Sequence, residues 1–226
     1  MRYHNLPEAL MSLDFSPKKI LLNTLAFLIV TAVAGAPLLD AKPRDKDRWD
    51  KKYGTEVYIF GKKPVPFLTQ NIHLLPKGRA LDIAMGEGRN GVYLATQGFE
   101  VVGLDISEKG LAKAHQLAKQ NGVEIETRVV DLENHQLEKN AYDVILLMYY
   151  MQRDLWPQIK DALKPGGMAI IETYNVDHLK HARFNPKWLL KSNELITAFQ
   201  GMKIIRYQAY EDSDQAYSSI IVQKTQ

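Results

Sequence analysis

The sequence feature that most constrains the fold of this chain is a glycine turn between an apolar segment and a polar one. The pattern predicts a short buried strand over Ala80–Ile83, a turn at Gly86 and Gly88, and a helix that begins near Arg89 or Asn90. Glycine adopts positive φ and lets a ligand approach the backbone closely, while a helix start leaves N–H groups free to meet it. We therefore predict a nucleotide-type cofactor site at the first βα turn of a doubly wound sheet.

Two cofactor classes fit such a turn. The segment Gly86-Glu-Gly88-Arg-Asn-Gly91 matches G-x-G-x-x-G, the fingerprint of dinucleotide sites. However, Asp82 at the strand end would repel a pyrophosphate, whereas S-adenosylmethionine carries an ammonium group and a sulfonium that a carboxylate attracts. The local charge favours S-adenosylmethionine and leaves a nicotinamide cofactor as the alternative.

Two further predicted strands also end in carboxylates. Asp105 closes the strand that starts at Glu100, and it lies 23 residues after Asp82, the distance expected for a carboxylate that accepts both ribose hydroxyls. Asp131 closes the next strand, so it fits contact with an adenine amino group, with Leu132 beside the ring. Ligands of such sheets bind at the carboxyl ends of the strands. Three acids at three strand ends therefore predict one cofactor site.

The remaining pattern extends the same sheet. Strands alternate with helices from Ala80 to Glu172, which predicts βαβ units and a mostly parallel sheet. Two strands joined by a polar turn then end the chain, and this spacing predicts an antiparallel hairpin. The predicted ranges are a strand at 142–148, a helix at 155–163, a turn at 164–167, a strand at 168–172, a helix capped by Ser192, and hairpin strands at 203–210 and 217–223.

The N-terminal part of the chain reads differently. Residues 20–39 carry no charge, and they separate an uninterpreted extension (1–19) from a charged linker (40–48) and the domain proper (49–226). The apolar segment is either a membrane anchor or a signal peptide, since A-x-A spacings follow it. If the helix is retained, the basic residues that follow it favour a cytoplasmic position for the domain. We predict an uncleaved anchor with the domain on the cytoplasmic face of the membrane. Export after cleavage is the alternative.

The amino-acid composition limits the classes of molecule that this protein is expected to bind. The net charge is +3 and no dense basic patch occurs, which argues against nucleic acid, and zero cysteines exclude thiolate chemistry and thiolate metal sites. His178 and His181 lie three positions apart, but two histidines at such a spacing more often belong to a polar surface than to a metal site, so we predict no metal. No protein partner is predicted. Aromatic residues between Trp49 and Phe67 fit a lid over the cofactor or core packing equally well.

The motifs together resemble class I S-adenosylmethionine-dependent methyltransferases, in particular the small bacterial branch near the tellurite-resistance-type enzymes. The resemblance covers the chain from Trp49 to its end. It rests on the segments Leu81-Asp-Ile-Ala-Met-Gly-Glu-Gly-Arg-Asn90, Val102-Gly-Leu-Asp-Ile-Ser107, Asp131-Leu132, Tyr150-Met-Gln-Arg-Asp-Leu155, Leu163-Lys-Pro-Gly-Gly167 and Glu172-Thr-Tyr174. It implies a Rossmann-like, seven-stranded, mostly parallel sheet with a C-terminal antiparallel hairpin, here preceded by the apolar N-terminal segment.

The resemblance also assigns roles to residues. It implies that Asp82, Gly86 and Gly88 hold the methionine part of the cofactor and that Asp105 holds the ribose. It places Asp131 and Leu132 at the adenine and Met148 near the sulfonium. The predicted cofactor-binding set is completed by Ala84, Asn90 and Ile106. One departure is Ala84-Met85, where many methyltransferases carry Gly-Cys or a third glycine.

Methyl transfer needs little dedicated chemistry from the protein. It is an in-line displacement, so alignment and exclusion of water can suffice, and a base helps only if the nucleophile is protonated. The catalytic residue is left open among four candidates around the predicted acceptor pocket: Tyr149, Tyr150, Arg153 and Glu172. For Arg153 a surface ion pair is favoured over a role in binding an anion. We expect a small-molecule acceptor; a non-catalytic or exported cofactor-binding protein with the same fold is the alternative.

Overall fold

The centre of the fold is a seven-stranded sheet in a computed structural model that describes residues 43–225. Its strands are β1 (Arg79–Ile83), β2 (Glu100–Asp105), β3 (Glu126–Val129), β4 (Tyr142–Met148), β5 (Leu163–Tyr174), β6 (Lys203–Glu211) and β7 (Ala216–Gln223). They lie in the order β3-β2-β1-β4-β5-β7-β6. Only β7 pairs antiparallel with its neighbours, and the other neighbouring pairs are parallel. The predicted sheet and its terminal hairpin are confirmed.

Helices cover both faces of this sheet. They are α1 (Pro43–Tyr53), α2 (Pro66–Asn71), α3 (Arg89–Thr96), α4 (Glu108–Gln120), α5 (Leu155–Ala162) and α6 (Glu194–Ala198), with 3-10 turns at Ile72–Leu74, Val176–Lys180 and Pro186–Trp188. One core contains Leu155, Ile159 and Phe199 from α5 and the end of α6. The other contains Leu68 and Leu94 from α2 and α3. Because both faces are covered, β4 is apolar almost throughout.

Side chains along the central strands alternate between the two cores. In β4, Ile145 and Leu147 pack into the first core, while Val144, Leu146 and Met148 pack into the second. This period of two is the geometry of a pleated strand. Burying five such side chains at about 25 cal/mol per Å² makes β4 a major source of stability.

The structure differs from the sequence interpretation at three places. The segment assigned to a linker at 40–48 is helical from Pro43, where Lys46 pairs with Asp50 at 2.7 Å one turn later. The turn at 164–167 lies within β5, since Tyr142 pairs with Leu163 and Val144 with Met168, so these four residues bulge from the ladder. The third difference concerns the start of α6. The predicted Ser192 cap is wrong because Asn193 occupies the N-cap position with φ 59° and no side-chain hydrogen bond.

The membrane prediction receives no support from the described part of the chain. None of the helices between residues 43 and 225 is long and apolar enough to cross a bilayer. The apolar segment at 20–39 and the extension at 1–19 lie outside the described residues, so the anchor stays a prediction.

Candidate functional site

The glycine turn is packed from both sides. Gly86 and Gly88 follow β1 with φ values of 56° and 85°, as the sequence predicts. A Cβ added at Gly88 would lie 2.6 Å from the Cβ of Ala114 on α4, and one added at Gly86 would lie 2.7 Å from the Tyr53 hydroxyl oxygen. Both positions therefore require glycine for their backbone angle and for close packing.

The departure at Ala84-Met85 has a structural explanation. Ala84 adopts φ 57°, a region in which an L side chain is strained. The Met85 side chain is buried in a niche against Gly91 and Gly103, where a Cβ on either glycine would collide with its sulfur or methyl group. The bulky Met85 thus replaces a smaller residue because two glycines on α3 and β2 leave room for it.

Asp82 is a buried carboxylate behind the turn. It is 2% exposed, and its Oδ2 atom has no hydrogen-bond partner. Burial raises the pKa of Asp82 to about 7, against the opposing effects of the Gly91 N–H and the Arg89 charge. A Cβ added at Gly91 would lie 2.8 Å from Oδ2, so this oxygen faces α3. Since Oδ2 faces α3, any effect of Asp82 on a ligand at the turn would be electrostatic and would come from its ionised form.

Asp105 lies beside the turn at the end of β2. Its Oδ2 accepts the Gly86 N–H at 2.7 Å, and its Oδ1 accepts the Ser107 N–H at 2.8 Å. Burial raises its pKa, although these backbone bonds favour the ionised form. A carboxylate has about four lone-pair sites, so two remain for ligand hydroxyls. The geometry fits the ribose role that the family resemblance implies.

The residues expected around an adenine lie on the next loop. Asp131 is half-buried, and its oxygens accept the Glu133 N–H at 3.0 Å and the Asn134 side-chain amide at 2.9 Å. Leu132 is buried in the first core and Ile106 is half-buried. All three belong to loops that leave the carboxyl ends of β2 and β3, the sheet edge that carries the glycine turn.

Two other predicted cofactor residues hold the scaffold. Asn90 Oδ1 accepts the Val65 N–H at 2.9 Å, which ties the loop before α2 to the start of α3. Met148, 8% exposed, ends β4 within the second core. The hydrogen bond to Val65 thus directs the Asn90 side chain towards the loop before α2. Met148 lies at the end of β4, as the sequence predicts.

Helix α1 covers the turn, and this arrangement was missed. Tyr53 stacks on Trp49 with ring centroids 5.3 Å apart and is buried against Gly86. Asp50 accepts the Ser107 hydroxyl at 2.6 Å and so docks α1 on the start of α4. Tyr53 is core packing over the turn, and the lid interpretation of the aromatic segment stays a prediction.

The turn itself contains a second missed contact. Glu87, between the two glycines, is buried and pairs with Lys113 of α4 at 2.6 Å. Its other oxygen accepts the Phe60 N–H at 3.4 Å. Glu87 therefore fastens the turn to α4 and to the loop after α1, while its charge is neutralised by Lys113.

Across the crevice, Tyr149 and Glu172 form a pair. Tyr149 follows β4, and its hydroxyl donates to Glu172 Oε1 at 2.6 Å. Glu172, on β5, accepts a second hydroxyl from Ser219 of β7 at 2.6 Å. The guanidinium of Arg89 lies 5.6 Å from the Tyr149 ring centroid. Since β1 and β4 are neighbours while β2 lies on the far side of β1, this contact spans the switch point where such sheets bind ligands.

Arg153 and Tyr150 lie apart from this pair. Arg153 binds Glu194 with two bonds of 2.7 and 3.0 Å and also donates to the carbonyls of Lys187 and Leu189. The predicted ion pair of Arg153 is confirmed, and its donors hold the loop before α6. The Tyr150 hydroxyl donates to Gln152 at 2.9 Å. Of the four catalytic candidates, the structure brings together Tyr149 and Glu172.

Aromatic side chains line the adjacent loop. Tyr174 lies 5.2 Å from Tyr149 between ring centroids, stacks on His178 at 4.2 Å and meets Phe184 at 5.7 Å. His181 instead pairs with Glu211 at 3.0 Å. No group of three potential metal-ligating side chains occurs within residues 43–225, and the expectation of no metal remains a prediction.

A cavity of about 510 Å³ lies elsewhere. It is lined by His115, Ala118, Lys119 and residues 122–125, at the far end of α4 from Ser107. It lies away from the carboxyl edge of the sheet, so the crevice at the switch point remains the candidate site.

Comparison with known proteins supports the resemblance. Residues 80–167 match the model of the methyltransferase domain family. This segment of the chain is therefore similar to methyltransferase domains. Among curated relatives, a ubiquinone biosynthesis O-methyltransferase of Rickettsia felis is 30% identical over 48% of this chain and 46% of the relative. Its counterpart in Ruegeria pomeroyi is 36% identical over 43% and 41%, respectively. The chain thus spans less than half the length of these curated relatives.

Structural similarity extends beyond the matched segment. TehB from Haemophilus influenzae superposes with a TM-score of 0.62 at 18% identity, over 80% of this chain and 67% of TehB. At this identity the likeness shows the fold, and it fits the branch that the sequence motifs resemble. Around the glycine turn lie three buried carboxylates, Asp82, Glu87 and Asp105, and the charge of Glu87 is offset by Lys113. The remaining acidic character suits a cationic cofactor better than a pyrophosphate.

Proposed function

We propose that this protein is an S-adenosylmethionine-dependent methyltransferase that acts on a small-molecule acceptor by in-line transfer. The observation that carries the proposal is the pair of buried carboxylates, Asp82 and Asp105, on either side of the glycine turn. A phosphate site would need positive charge there, and a sulfonium with an ammonium group needs negative charge. The O-methyltransferase relatives agree with this chemistry.

The residues present fit the cofactor. Asp105 would hold the ribose with its free lone pairs, and the ionised form of Asp82 would attract the charged methionine part. Bound S-adenosylmethionine supplies an electrophilic methyl group. The chain would contribute alignment of the reactants and, through the buried Tyr53 above the turn, cover for the bound cofactor.

Calorimetric titration of the full-length chain with S-adenosylhomocysteine and, separately, NADH tests the proposal. We expect binding of S-adenosylhomocysteine only. Asp105→Asn keeps the shape of the side chain and removes its charge, so affinity should fall about 10- to 100-fold, the value of a charged hydrogen bond. The matched control is Asp143→Asn, which alters a carboxylate at the opposite edge of the sheet, where Asp143 accepts the Arg79 N–H at 2.8 Å. Binding of NADH alone would contradict the proposal.

A non-catalytic cofactor-binding protein is the second candidate. It predicts the same titration result without methyl transfer. Incubating the protein with a methyl-labelled cofactor and a cell extract separates the two, because a methyltransferase labels a small molecule in the extract. The buried Tyr149–Glu172 pair beside the crevice favours the enzyme.

For localisation we propose that residues 20–39 anchor the domain to the cytoplasmic face of the membrane. The support is the uncharged apolar sequence and the basic residues that flank it. Cell fractionation with mass spectrometry of the N-terminus tests this. A processed N-terminus with the domain outside the cytoplasm would favour the exported alternative.

A further inference from the structure

Tyr149 is held in an unusual backbone conformation. Its φ is 56°, a region that bulky residues rarely adopt. Two bonds to Glu172 keep it there, because the Tyr149 N–H donates to the Glu172 carbonyl at 2.7 Å and its hydroxyl donates to the Glu172 carboxylate at 2.6 Å. Strained residues of this kind concentrate at functional sites, where the surrounding structure over-determines them.

Glu172 is buried and receives only hydroxyls. It is 1% exposed, and its second oxygen accepts the Ser219 hydroxyl at 2.6 Å. Bonds of this length are typical of an O–H donor and an ionised carboxylate. Burial raises the pKa of Glu172, whereas both hydroxyls and the Arg89 charge favour its ionised form. The other titratable groups that face this pair are Tyr174 and Tyr217.

The direction of the hydrogen bonds limits the acceptor. A tyrosine hydroxyl has one proton, and the proton of Tyr149 is directed to Glu172. The phenolic oxygen therefore offers only lone pairs to a ligand, which favours a hydrogen-bond donor at this atom. Two aromatic rings lie beside Tyr149: Tyr174 packs on Tyr149 with ring centroids 5.2 Å apart, and Phe184 packs on Tyr174 at 5.7 Å.

We propose that the acceptor is an aromatic compound with a neutral hydroxyl, and that Tyr149 accepts the proton of this hydroxyl. This inference rests on the proposed methyltransferase function. Tyr149 would be the catalytic residue because it touches the acceptor. Glu172 acts through Tyr149 as the positioning residue that receives the tyrosine proton.

The proton transfer balances without another reactant. The acceptor O–H bond breaks, its proton moves to the Tyr149 oxygen, and the original tyrosine proton moves to the Glu172 carboxylate. The acceptor oxygen keeps its electron pair and forms the bond to the methyl carbon, while the pair of the broken sulfur–carbon bond stays on sulfur. After the product leaves, the proton returns from Glu172 through Tyr149 to solvent.

A binding measurement tests the contact independently of turnover. Phenol and toluene have nearly the same shape and differ in the donor group, so their affinities for the full chain saturated with S-adenosylhomocysteine are compared by ligand-observed NMR. Tyr149→Phe should lower the preference for phenol over toluene about two- to ten-fold, the range for one net hydrogen bond. Ser219→Ala removes the other hydroxyl from Glu172 and should retain the preference.

The outcomes separate the two proposals. If S-adenosylhomocysteine fails to bind, the methyltransferase function itself is contradicted. If S-adenosylhomocysteine binds but phenol does not, or if the phenol preference is the same with and without the Tyr149 hydroxyl, only the acceptor inference is overturned.

A pH profile tests Glu172. In Glu172→Gln, methylation of phenol should be slowed at neutral pH and should recover as the pH approaches the range where phenol ionises. The methylation rate of the more acidic probe 4-nitrophenol, which ionises near neutral pH, should fall much less. An equal loss for both probes at every pH would show that Glu172 only supports the fold. Ser219→Ala, the matched control, should show no recovery with pH.

Discussion

The two sides of the crevice hold their carboxylates by different means. On the cofactor side, which comprises residues 79–134, Asp105 is held by the backbone N–H groups of Gly86 and Ser107. On the acceptor side, which comprises residues 148–190 and β7, Glu172 is held by the side chains of Tyr149 and Ser219, 23 and 47 positions away. The position of a carboxylate that is held by backbone N–H groups depends on the shape of the turn. The position of a carboxylate that is held by side chains depends on which residues occupy two distant positions in the sequence.

The family match follows the same division. The matched segment ends at residue 167, so it includes the whole cofactor side and stops before Glu172, Tyr174 and Ser219. The features common to the domain family therefore lie in backbone geometry that many sequences can form. The acceptor contacts lie mostly in the part of the chain that the family model does not describe.

The largest expected effect concerns Asp82 on the cofactor side. Its pKa is raised to about 7 from 3.8, so the folded state retains a proton that the unfolded chain loses, and stability should fall as pH rises from about 4 to 7. The loss is about 4 kcal/mol at most, at 1.36 kcal/mol per pKa unit. Urea unfolding of the wild type and Asp82→Asn at several pH values measures it, and the variant should lack this fall.

Asp143 serves as the control because its pKa is shifted in the opposite direction from that of Asp82. The Lys164 ammonium and the Arg79 N–H hold the pKa of Asp143 below its usual range despite burial, which alone would raise it. Its contribution is present above the unfolded pKa and is lost as pH falls through the folded pKa. Asp143→Asn should therefore leave the fall between pH 4 and 7 in place. If Asp82→Asn keeps the wild-type profile, the buried-carboxylate account of the cofactor side is wrong.

A smaller effect is expected at the turn itself. Gly88→Ala combines a strained φ with a collision against Ala114, so we expect a destabilisation of about 3 kcal/mol, measured by urea unfolding. Gly98→Ala is matched because Gly98 has φ 82° but open space around it, so it should lose only about 1 kcal/mol. Equal losses would show that packing under α4 does not shape the turn.

The smallest effect is expected on the acceptor side. Arg153→Gln removes the pair with Glu194 and the bonds to two carbonyls, but Arg153 is partly exposed, so the loss of stability should be about 1 kcal/mol. The affinity for S-adenosylhomocysteine should stay unchanged because Arg153 has no contact with the glycine turn. A large loss of that affinity would break the division between the two sides.

This division also explains what the sequence could predict. The bounds of β2 and β4 follow from local periodicity, and the structure has them as predicted. The two hairpin strands are each one residue longer than predicted, at the ends that flank the turn. The contacts of Tyr53 with Gly86 and of Glu87 with Lys113 join separate elements, and no spacing rule identifies them. The Ser192 cap failed because Asn193 adopts a left-handed conformation that propensity alone does not reveal.

The acceptor pair shows the same limit. Tyr149 and Glu172 were candidates because they end neighbouring strands, but the sequence could not rank them above Tyr150 and Arg153. The register of β4 with β5 and of β5 with β7 brings Tyr149, Glu172 and Ser219 together. Arg89 was overlooked, although it lies within the quoted motif, because the side-chain direction at a helix start does not follow from the motif.

The most direct test of the account is a crystal structure of the full chain with S-adenosylhomocysteine. We predict that the ligand follows the carboxyl edge of the sheet, with its ribose hydroxyls on Asp105, its amino-acid part at Gly86 and its adenine beside Asp131. Its sulfur should face the crevice between Met148 and Tyr149. A ligand bound elsewhere, or one whose ribose lies away from Asp105, would contradict the assignment of the glycine turn as the cofactor site.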